Sequence, residues 1–153
     1  MNILISRCLL GFPCRYDGKS TDNERLDLFM AKYKEKHNFI GVCPEVEGGL
    51  PIPRAKSERV GDKVMSEYGE DNTEAFEAGA NIAVKKAIKY NAQVAILKSK
   101  SPSCGTGIIY DGTFTSKLIP GNGVTSQKLS DIGVYVITEE DLDKIEYLLD
   151  NED

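Results

Sequence analysis

The order of the predicted elements indicates a single α/β domain with a mainly parallel central sheet, helices on both faces and a small β-hairpin. Two observations predict this fold class. Short apolar segments recur along the chain without polar alternation, as in strands that are buried on both faces. Segments with helical periodicity lie between them, which is the order that parallel strands with crossover helices produce. The length of 153 residues suits one domain, which we expect to span residues 1–153.

Four short apolar segments are predicted to form the strands of the sheet. They comprise residues 2–6, 39–42, 94–97 and 134–137. Their content of Ile, Leu and Val is typical of buried strands. In a sheet of this kind, the crevice that binds ligands lies beyond the carboxyl ends of the strands. The residues that directly follow each strand are therefore the first candidates for a functional role.

Helical spacing predicts the helices that connect these strands. One apolar helical face follows the first strand and consists of Leu26, Phe29, Met30 and Tyr33. Asn23 or Asp22 could cap this helix at its N-terminus. Residues 70–90 give the clearest helix of the chain, and residues 124–131 a short one. The apolar face of the longer helix includes Phe76, Ala80, Ala83 and Ala87.

The remaining segments are predicted from their turn-forming and capping residues. Residues 44–53 contain three prolines and two glycines, and we therefore expect them to be irregular. Residues 60–67 are expected to form a small extended piece, and residues 108–119 a hairpin around an Asp-Gly turn. Thr138 is followed by three acidic residues, so it is expected to cap a last helix.

Composition and charge exclude several classes of protein. With 41% hydrophobic and 28% charged residues, the chain is neither disordered nor collagen-like. It carries 19 basic and 24 acidic residues, a net charge of −5, so we expect no nucleic-acid partner. No apolar run approaches the roughly 20 residues that span a bilayer, so we expect no membrane partner either. The single histidine excludes sites that need two. These features do not set the oligomeric state.

The N-terminal residues and the cysteines bear on the cellular compartment. Residues 1–6 lack a basic lead and a long apolar core, so we expect a strand there and not a signal peptide. The expected location is the cytoplasm, where thiols stay reduced. The four cysteines are then expected to be metal ligands, catalytic groups or inert core residues, and not disulfides.

Three of the four cysteines follow the ends of predicted strands. Cys8 comes two residues after the first strand, Cys43 directly follows the second, and Cys104 lies in the loop after the third. Because the carboxyl ends of parallel strands share one edge of a sheet, that edge could bring these three residues together. Cys14 lies in a turn-rich segment six residues beyond Cys8.

The cysteine pattern leaves three interpretations open. Free cysteines are often small core residues, although loop positions suit that interpretation less well. Structural zinc usually uses paired Cys-x-x-Cys motifs, and the sequence contains none. Three dispersed thiolates can hold three irons of a four-iron cluster and leave the fourth iron open to a substrate. Spacing alone does not separate such an open cluster from a reactive cysteine nucleophile.

The loop that contains Cys104 also carries hydroxyl and amino groups. Its hydroxyl groups are those of Ser101, Ser103 and Thr106. Lys98 and Lys100 add positive charge, and successive backbone N–H groups could form an anion-binding nest. Such a loop would suit sulfide, a thiolate or a polar heterocycle. The alternative for the two lysines is an ordinary solvated loop.

Glu45 is the acidic residue nearest to a strand-end cysteine, since it follows Cys43 by two residues. A carboxylate beside a cluster could act as a general base or position a water molecule. The alternative is an acidic side chain in an exposed loop. Arg15, Arg54 and Glu58 are open to the same two interpretations.

A set of short motifs extends over nearly the whole chain. The motifs are Cys8-Leu9-Leu10-Gly11, Cys14-Arg15-Tyr16-Asp17-Gly18, Cys43-Pro44-Glu45-Val46, Gly48-Gly49-Leu50, Pro53-Arg54, Leu97-Lys98, Ser101-Pro102-Ser103-Cys104-Gly105, Tyr110-Asp111-Gly112-Thr113-Phe114 and Pro120-Gly121-Asn122-Gly123-Val124. Their combination resembles the thiouracil desulfurase (desulfidase) family, formerly a domain of unknown function. The combination is much more specific to that family than any single motif.

The resemblance implies a four-iron, four-sulfur (4Fe-4S) cluster that is held by Cys8, Cys43 and Cys104, with Cys14 outside the ligand set. It implies that the iron without a cysteine ligand binds the sulfur of a thiocarbonyl base, and that water then replaces this sulfur on the ring. Such an iron is thiophilic and should prefer sulfur to oxygen. Glu45 and Ser101 are the implied acid/base and positioning residues.

The implied activity is the non-redox desulfuration of a thiolated nucleobase such as thiouracil, in which thiocarbonyl and water give carbonyl and hydrogen sulfide. Ser103 and Lys98 are the expected substrate-binding residues, and the expected partner is a small thiolated heterocycle. Two alternatives remain beside this activity. One is a sulfide or redox sensor that holds the same cluster without turnover, and the other is a zinc- or thiol-based protein without a cluster.

Overall fold

A four-stranded parallel sheet forms the centre of the structure, a computed structural model that describes residues 1–19 and 23–151. In chain order the strands are β1 (Asn2–Ser6), β2 (Asn38–Val42), β3 (Ser57–Val60), β4 (Lys63–Ser66), β5 (Val94–Leu97), β6 (Ile108–Tyr110), β7 (Leu118–Pro120) and β8 (Tyr135–Thr138). The helices are α1 (Glu24–Tyr33), α2 (Pro44–Glu47), α3 (Thr73–Lys89), α4 (Val124–Asp131) and α5 (Asp143–Asp150), and a 3-10 turn spans Arg7–Leu10. None of the helices in these two ranges combines the length and the apolar character that crossing a bilayer requires.

The parallel strands stand in the order β2–β1–β5–β8. Their register pairs Ser6 with Val42 and Ile5 with Ile96, so the carboxyl ends of β1, β2 and β5 lie at one edge of the sheet. The chain moves from β1 to β2 on one side and later crosses back to β5 on the other side. A crevice therefore opens between the segments that follow β1 and β5, which is where sheets of this topology bind ligands.

Helices cover both faces of the sheet, because its strands carry apolar side chains on both faces. In β1, Ile3 and Ile5 pack with α1 and α5, whereas Leu4 packs on the opposite face with α3 and α4. Alternate side chains of a strand point to opposite faces, so one short strand contributes to both apolar layers. Burial of each such side chain contributes about 1.5–3 kcal/mol to folding. The predicted fold class is confirmed.

Most of the predicted elements occur at or near their predicted positions. The strands β1 and β5 and the helix α4 have the predicted bounds, and the clearest predicted helix is α3. Asn23 caps α1, since its side-chain oxygen accepts a hydrogen bond from the Leu26 N–H at 3.0 Å. Asp22, the other candidate for this cap, lies outside the described residues.

Two antiparallel hairpins lie outside the parallel sheet. The strands β3 and β4 form the first hairpin, where the sequence predicts only an extended piece at residues 60–67. Its turn contains Gly61, which has a φ of +61° and so adopts the left-handed conformation that favours glycine. The strands β6 and β7 form the second hairpin, which confirms the prediction for residues 108–119. Its connecting loop, residues 111–117, is longer than the predicted Asp-Gly turn.

Two predictions about helix boundaries were wrong. Thr138 does not cap the last helix, because it is the final residue of β8 and its Oγ1 accepts a hydrogen bond from the Glu140 N–H at 3.3 Å. The chain turns there, and α5 begins only at Asp143. The segment at residues 44–53 is not irregular throughout, because α2 forms one helical turn with Pro44 at its first position. Proline is tolerated at this position since the first N–H groups of a helix have no partner within it.

The helices α2 and α3 touch through their backbones at two glycines. A Cβ atom on Gly79 of α3 would collide with the carbonyl oxygen of Pro44, and one on Gly48 would collide with the carbonyl oxygen of Ala75. Only residues without a side chain allow this approach. The contact fixes the position of α2 and therefore of Cys43, which directly precedes it.

The contact between α2 and α3 predicts that Gly79→Ala destabilises the protein. Alanine ordinarily favours a helix interior by about 1 kcal/mol over glycine. The added methyl group must here displace the backbone at Pro44, which we expect to cost at the upper end of roughly 1–3 kcal/mol. The free energy of unfolding, measured by urea denaturation, should therefore fall. The control is Asn81→Ala at an exposed position of the same helix, which should not lower it. An unchanged stability of Gly79→Ala would contradict the close contact.

Candidate active site

A cavity of about 340 Å³ opens beyond the carboxyl edge of the sheet. Its lining comes from the segment after β1, from the start of α2 after β2, and from the loop after β5. The cavity thus lies at the point where the strand order reverses. Residues of the two hairpins complete its wall. All four cysteines line it: Cys8, Cys14, Cys43 and Cys104.

Each of the four cysteines is free, and each is less than a tenth exposed. Cys8 lies in the 3-10 turn after β1, Cys43 directly precedes α2, and Cys104 lies in the loop after β5. The structure therefore brings together the three strand-end cysteines around one cavity. It also places Cys14 there, in the loop that follows the 3-10 turn.

The thiols of Cys8, Cys14 and Cys43 lie close enough together to change one another's pKa. The pKa of the Cys14 thiol is strongly raised. The main cause is its interaction with the Cys43 thiol, and its interaction with the Cys8 thiol raises the pKa further. The interaction with Cys14 lowers the pKa of Cys43 to about 7, although burial opposes this change. Burial raises the pKa of Cys104 to about 12. The neighbouring Cys14 thiol thus favours the thiolate of Cys43, the form that binds metal.

Cys43 is held in place by Glu47, on the last position of α2. The Oε1 atom of Glu47 accepts a hydrogen bond from the Cys43 N–H at 2.7 Å, and its Oε2 atom is 2.6 Å from Nζ of Lys86 on α3. The Sγ atom of Cys43 also lies 3.7 Å from the carbonyl oxygen of Cys14. With the glycine contact between α2 and α3, these bonds determine where the Cys43 thiol enters the cavity.

The loop that contains Cys104 is docked on the N-terminus of α4. Four successive N–H groups, at residues 123–126, donate hydrogen bonds at 2.8–3.2 Å to the carbonyl oxygens of Pro102, Ser103 and Gly105, of which Ser103 accepts two. The loop thereby satisfies N–H groups that have no partner within the helix. Gly123 is needed for this docking, since a Cβ atom there would collide with the backbone of Ser103.

Ser101 stabilises the same loop from the side of the cavity. Its Oγ atom accepts hydrogen bonds from the N–H groups of Ser103 and Cys104 at 3.1 and 3.0 Å, and its side chain lines the cavity. Both bonds use oxygen lone pairs, so the hydroxyl proton remains available as a donor.

Ser103 does not line the cavity, although the sequence analysis expects it to bind substrate. It is fully buried, its Oγ atom bonds Oγ1 of Thr125 at 2.9 Å, and its other neighbour is Sγ of Cys104 at 3.8 Å. The Ser103 hydroxyl group is thus bonded to α4, and a role in substrate binding stays a prediction. The geometry therefore supports a structural role for Ser103, as a support for Cys104.

Lys98 lines the cavity and is held by Ser6 and Glu139, neither of which is predicted from the sequence as a site residue. Oγ of Ser6 accepts a hydrogen bond from the Lys98 N–H at 2.9 Å. Glu139 is buried, its two carboxylate oxygens accept hydrogen bonds from the Ser99 N–H at 2.7 and 3.1 Å, and its Oε1 is 3.4 Å from Nζ of Lys98. The available signal was the position of Glu139 directly after β8, at the sheet edge that the cysteines share.

Glu45 belongs to the cavity and is not an acidic side chain in an exposed loop. Its side chain is 19% exposed, and burial raises the pKa of its carboxyl group, an effect that neighbouring Arg54 opposes. Nε of Arg54 lies 3.2 Å from Oε1 of Glu45, and the same guanidinium group donates to the carbonyl oxygens of Cys14 and Pro51. The sequence left open whether Arg54 is a site residue or an exposed loop residue. In the structure it connects α2 to the loop of Cys14 through hydrogen bonds.

The remaining wall contains aromatic and basic residues that were not predicted as site residues. Tyr16 and Tyr110 each begin a Tyr-Asp-Gly triplet, and both line the cavity. Nζ of Lys56 lies 4.9 Å from the ring centre of Tyr110. The repeated triplet was the available signal, but an Asp-Gly turn explains such a triplet equally well.

The residues of the cavity fit an iron–sulfur cluster in their donor chemistry and their charge. Thiolates are the usual ligands of such clusters, and the cavity offers four thiols. Six basic and two acidic residues line the cavity. The cavity is therefore positive although the chain has a net charge of −5, and a positive cavity suits an anionic thiolate-bound group. In the part of the chain that the structure describes, no group of three or more His, Cys, Asp or Glu side chains is arranged to hold a single metal ion.

Comparisons with known proteins agree with this chemistry. The uncharacterized protein YbbK of Bacillus subtilis (strain 168) is 39% identical to this chain over 94% of the chain and 99% of YbbK. A solved structure of the 4Fe-4S-dependent thiouracil desulfidase TudS matches with a TM-score of 0.87 and 39% identity, over 97% of each chain. The sequence model of the 2-thiouracil desulfurase family matches residues 3–141. The chain therefore belongs to the 2-thiouracil desulfurase family.

Proposed function

We propose that this protein is a 4Fe-4S-dependent desulfidase that removes sulfur from a thiolated nucleobase such as thiouracil and releases it as sulfide. The observation that carries the proposal is the presence of four buried cysteines around one cavity at the carboxyl edge of the sheet. Family membership and the match to a 4Fe-4S-dependent thiouracil desulfidase support it. We also propose that residues 1–153 form one desulfurase domain.

Cys8, Cys43 and Cys104 are the proposed cluster ligands, because they come from the segments that follow three different parallel strands and all three line the cavity. Cys14 lies further along the chain, after the 3-10 turn, and is proposed to pack beside the ligands without joining them. When bound, the cluster supplies a thiophilic iron, a Lewis acid that prefers a thiocarbonyl sulfur to a carbonyl oxygen.

Glu45 is the proposed general base. A water molecule that attacks the thiocarbonyl carbon must lose a proton, and a carboxylate that lines the cavity can accept it. Arg54 holds Oε1 of Glu45 at 3.2 Å, which leaves Oε2 to take the proton. Both protons of the water end on the departing sulfur, so the balance is thiocarbonyl and water to carbonyl and hydrogen sulfide, without an oxidant or a reductant.

Ser101 and Lys98 are proposed to position the ring. The Ser101 hydroxyl group can donate its proton to a ring nitrogen or oxygen while its lone pairs hold the Cys104 loop. The Lys98 ammonium group is restrained by Glu139 and by Ser99, whose Oγ lies 3.1 Å from Nζ. Because its location does not depend on the ligand, Lys98 can attract a polar or anionic ring without a cost for ordering its side chain.

The proposed partner is a small thiolated heterocycle. A cavity of about 340 Å³ is close to the lower end of the roughly 300–1,000 Å³ range of ligand pockets, which suits one ring. The net charge of −5 gives no reason to propose a nucleic-acid partner, and we propose no membrane partner. Four free thiols suit a reducing compartment, and we propose the cytoplasm.

Sulfide release by protein prepared without oxygen tests the proposed function. We expect a brown protein that contains iron and acid-labile sulfide and that converts 2-thiouracil to uracil with release of one sulfide per turnover. The measurements are the iron and sulfide content per chain, and the sulfide formed over time. Protein from which the cluster has been removed by a chelator serves as the control and should be inactive. A preparation without oxygen that contains zinc and no iron would contradict the proposal.

The four cysteines are expected to differ in their effect on the cluster. Changing Cys8, Cys43 or Cys104 to Ala should abolish or badly deplete the iron, because two thiolates leave a second iron without a protein ligand. Cys14→Ala should retain the cluster and lower stability by about 1 kcal/mol, as a typical point change does. Iron content is measured for the four variants after reconstitution side by side. Equal loss in all four would indicate four cysteine ligands and no open iron.

Glu45→Gln and Ser101→Ala are expected to keep the iron and lose most of the turnover. Each removes a proton-transfer or positioning group, and such a group typically contributes about 100-fold or more to the rate. The Cys104 loop should stay in place without the Ser101 hydroxyl, because α4 still holds it through four backbone hydrogen bonds. Iron content and the rate of sulfide release are measured together. Glu74→Gln, at an exposed carboxylate in the first turn of α3, is the control. Wild-type turnover in either variant would remove that residue from the proposed mechanism.

A further inference from the structure

The two hairpins outside the sheet build one wall of the cavity. Lys56, which directly precedes β3, and Tyr110, the last residue of β6, both line the cavity. On the other side, Ile109 of β6 forms an isolated bridge with Lys100 in the loop after β5. The β6–β7 hairpin therefore extends from β3 to the loop of Cys104, along one side of the site.

Glu58 of β3 holds the loop of the β6–β7 hairpin in place through hydrogen bonds. Its side chain is buried, and Oε1 accepts hydrogen bonds from the N–H groups of Gly112 and Phe114 at 3.0 and 3.1 Å. Phe114 has a φ of +59°, a conformation that is unfavourable for a bulky residue and persists only where its surroundings hold it. Among the described residues, Oε2 of Glu58 has no hydrogen-bond partner.

Lys56 lies between this carboxylate group and the cavity. Its Nζ atom is 3.8 Å from Oε2 of Glu58, beyond hydrogen-bond distance, and 4.9 Å from the ring centre of Tyr110. Attraction to the carboxylate and to the aromatic face restrains the ammonium group without using its hydrogens. Nζ donates no hydrogen bond within residues 1–19 and 23–151, so its N–H groups are available to a ligand in the cavity.

Two other cations of the cavity already bind protein acceptors. Nζ of Lys98 is bonded to Ser99 and paired with Glu139. The guanidinium group of Arg54 is bonded to Glu45 and to two backbone carbonyl oxygens. Lys56 differs from both, because it is positioned by charge and by an aromatic ring and keeps its donors.

We propose that Lys56 determines substrate specificity by donating a hydrogen bond to the carbonyl oxygen of an oxo-thio-pyrimidine, with Glu58 and Tyr110 as its positioning residues. The inference rests on the proposed desulfidase function. Thiouracil has one thiocarbonyl and one carbonyl group, and its sulfur must face the cysteines. The oxygen then needs a donor elsewhere on the wall. An ammonium group can only donate, so it selects a ring with this oxygen over a ring without it.

Equilibrium binding of two product-like rings tests this inference. Uracil has the second carbonyl group and pyrimidin-2-one lacks it, and both are titrated calorimetrically into the cluster-loaded protein without oxygen. We expect the wild type to bind uracil roughly 10- to 100-fold more tightly, as for a hydrogen bond to a charged group. Lys56→Met should lose this preference, and Lys56→Gln, which keeps an N–H donor, should retain part of it. Lys63→Met makes the same change of charge at an exposed position of the same hairpin and should retain all of it.

An equal loss of affinity for both rings in Lys56→Met would overturn the inference, because Lys56 would then only support Glu58. The same preparations are tested for sulfide release from 2-thiouracil, so that the two proposals are separated. Sulfide release without a preference for uracil would overturn the role of Lys56 alone. A preference that depends on Lys56, without sulfide release, would support ring recognition and overturn the proposed reaction.

Discussion

The parallel pairing of β2, β1 and β5 is the constraint on which the rest of the structure depends. In-register pairing of Ser6 with Val42 places the ends of β1 and β2 side by side, and β5 ends beside them. Because all three strands run in the same direction, the segments that leave them start from one edge. An antiparallel arrangement would place alternate ends at opposite edges. Cys8, Cys43 and Cys104, far apart in sequence, can therefore line one cavity.

Buried or partly buried carboxylates hold the irregular segments around this edge. Glu47 binds the N–H of Cys43, Glu139 binds the N–H of Ser99, and Glu58 binds two N–H groups in the β6–β7 loop. These N–H groups have no partner in a strand or a helix, and burying them without an acceptor would be costly. Hydrogen bonds to an ionised acceptor are stronger than neutral ones. The loops of the site thus have defined conformations although they lack regular secondary structure.

The sequence predicts the sheet and its helices, because strands that are buried on both faces, such as β1 and β5, consist of consecutive apolar residues. It also predicts the grouping of the strand-end cysteines, because parallel strands end at one edge of the sheet. The position of Glu139 could not be predicted, because its partner Ser99 lies 40 residues away and the local pattern after Thr138 is typical of a helix cap. The orientation of Ser103 could not be predicted either, because it depends on Thr125, which lies 22 residues further along the chain. Spacing left the cysteine chemistry open, and the assignment of ligands and catalytic groups remains a prediction that rests on the family.

The docking of the Cys104 loop on α4 distinguishes this protein from small metal-dependent folds. In a zinc finger the metal organises the chain, and the chain is unfolded without it. Here backbone bonds from residues 123–126 and the Ser101 hydroxyl group define the loop with protein atoms alone. The entropy of ordering the loop is then part of folding and not of cofactor binding. We therefore expect the Cys104 loop to keep its conformation in protein from which the cofactor has been removed, so that reloading needs no refolding of this segment.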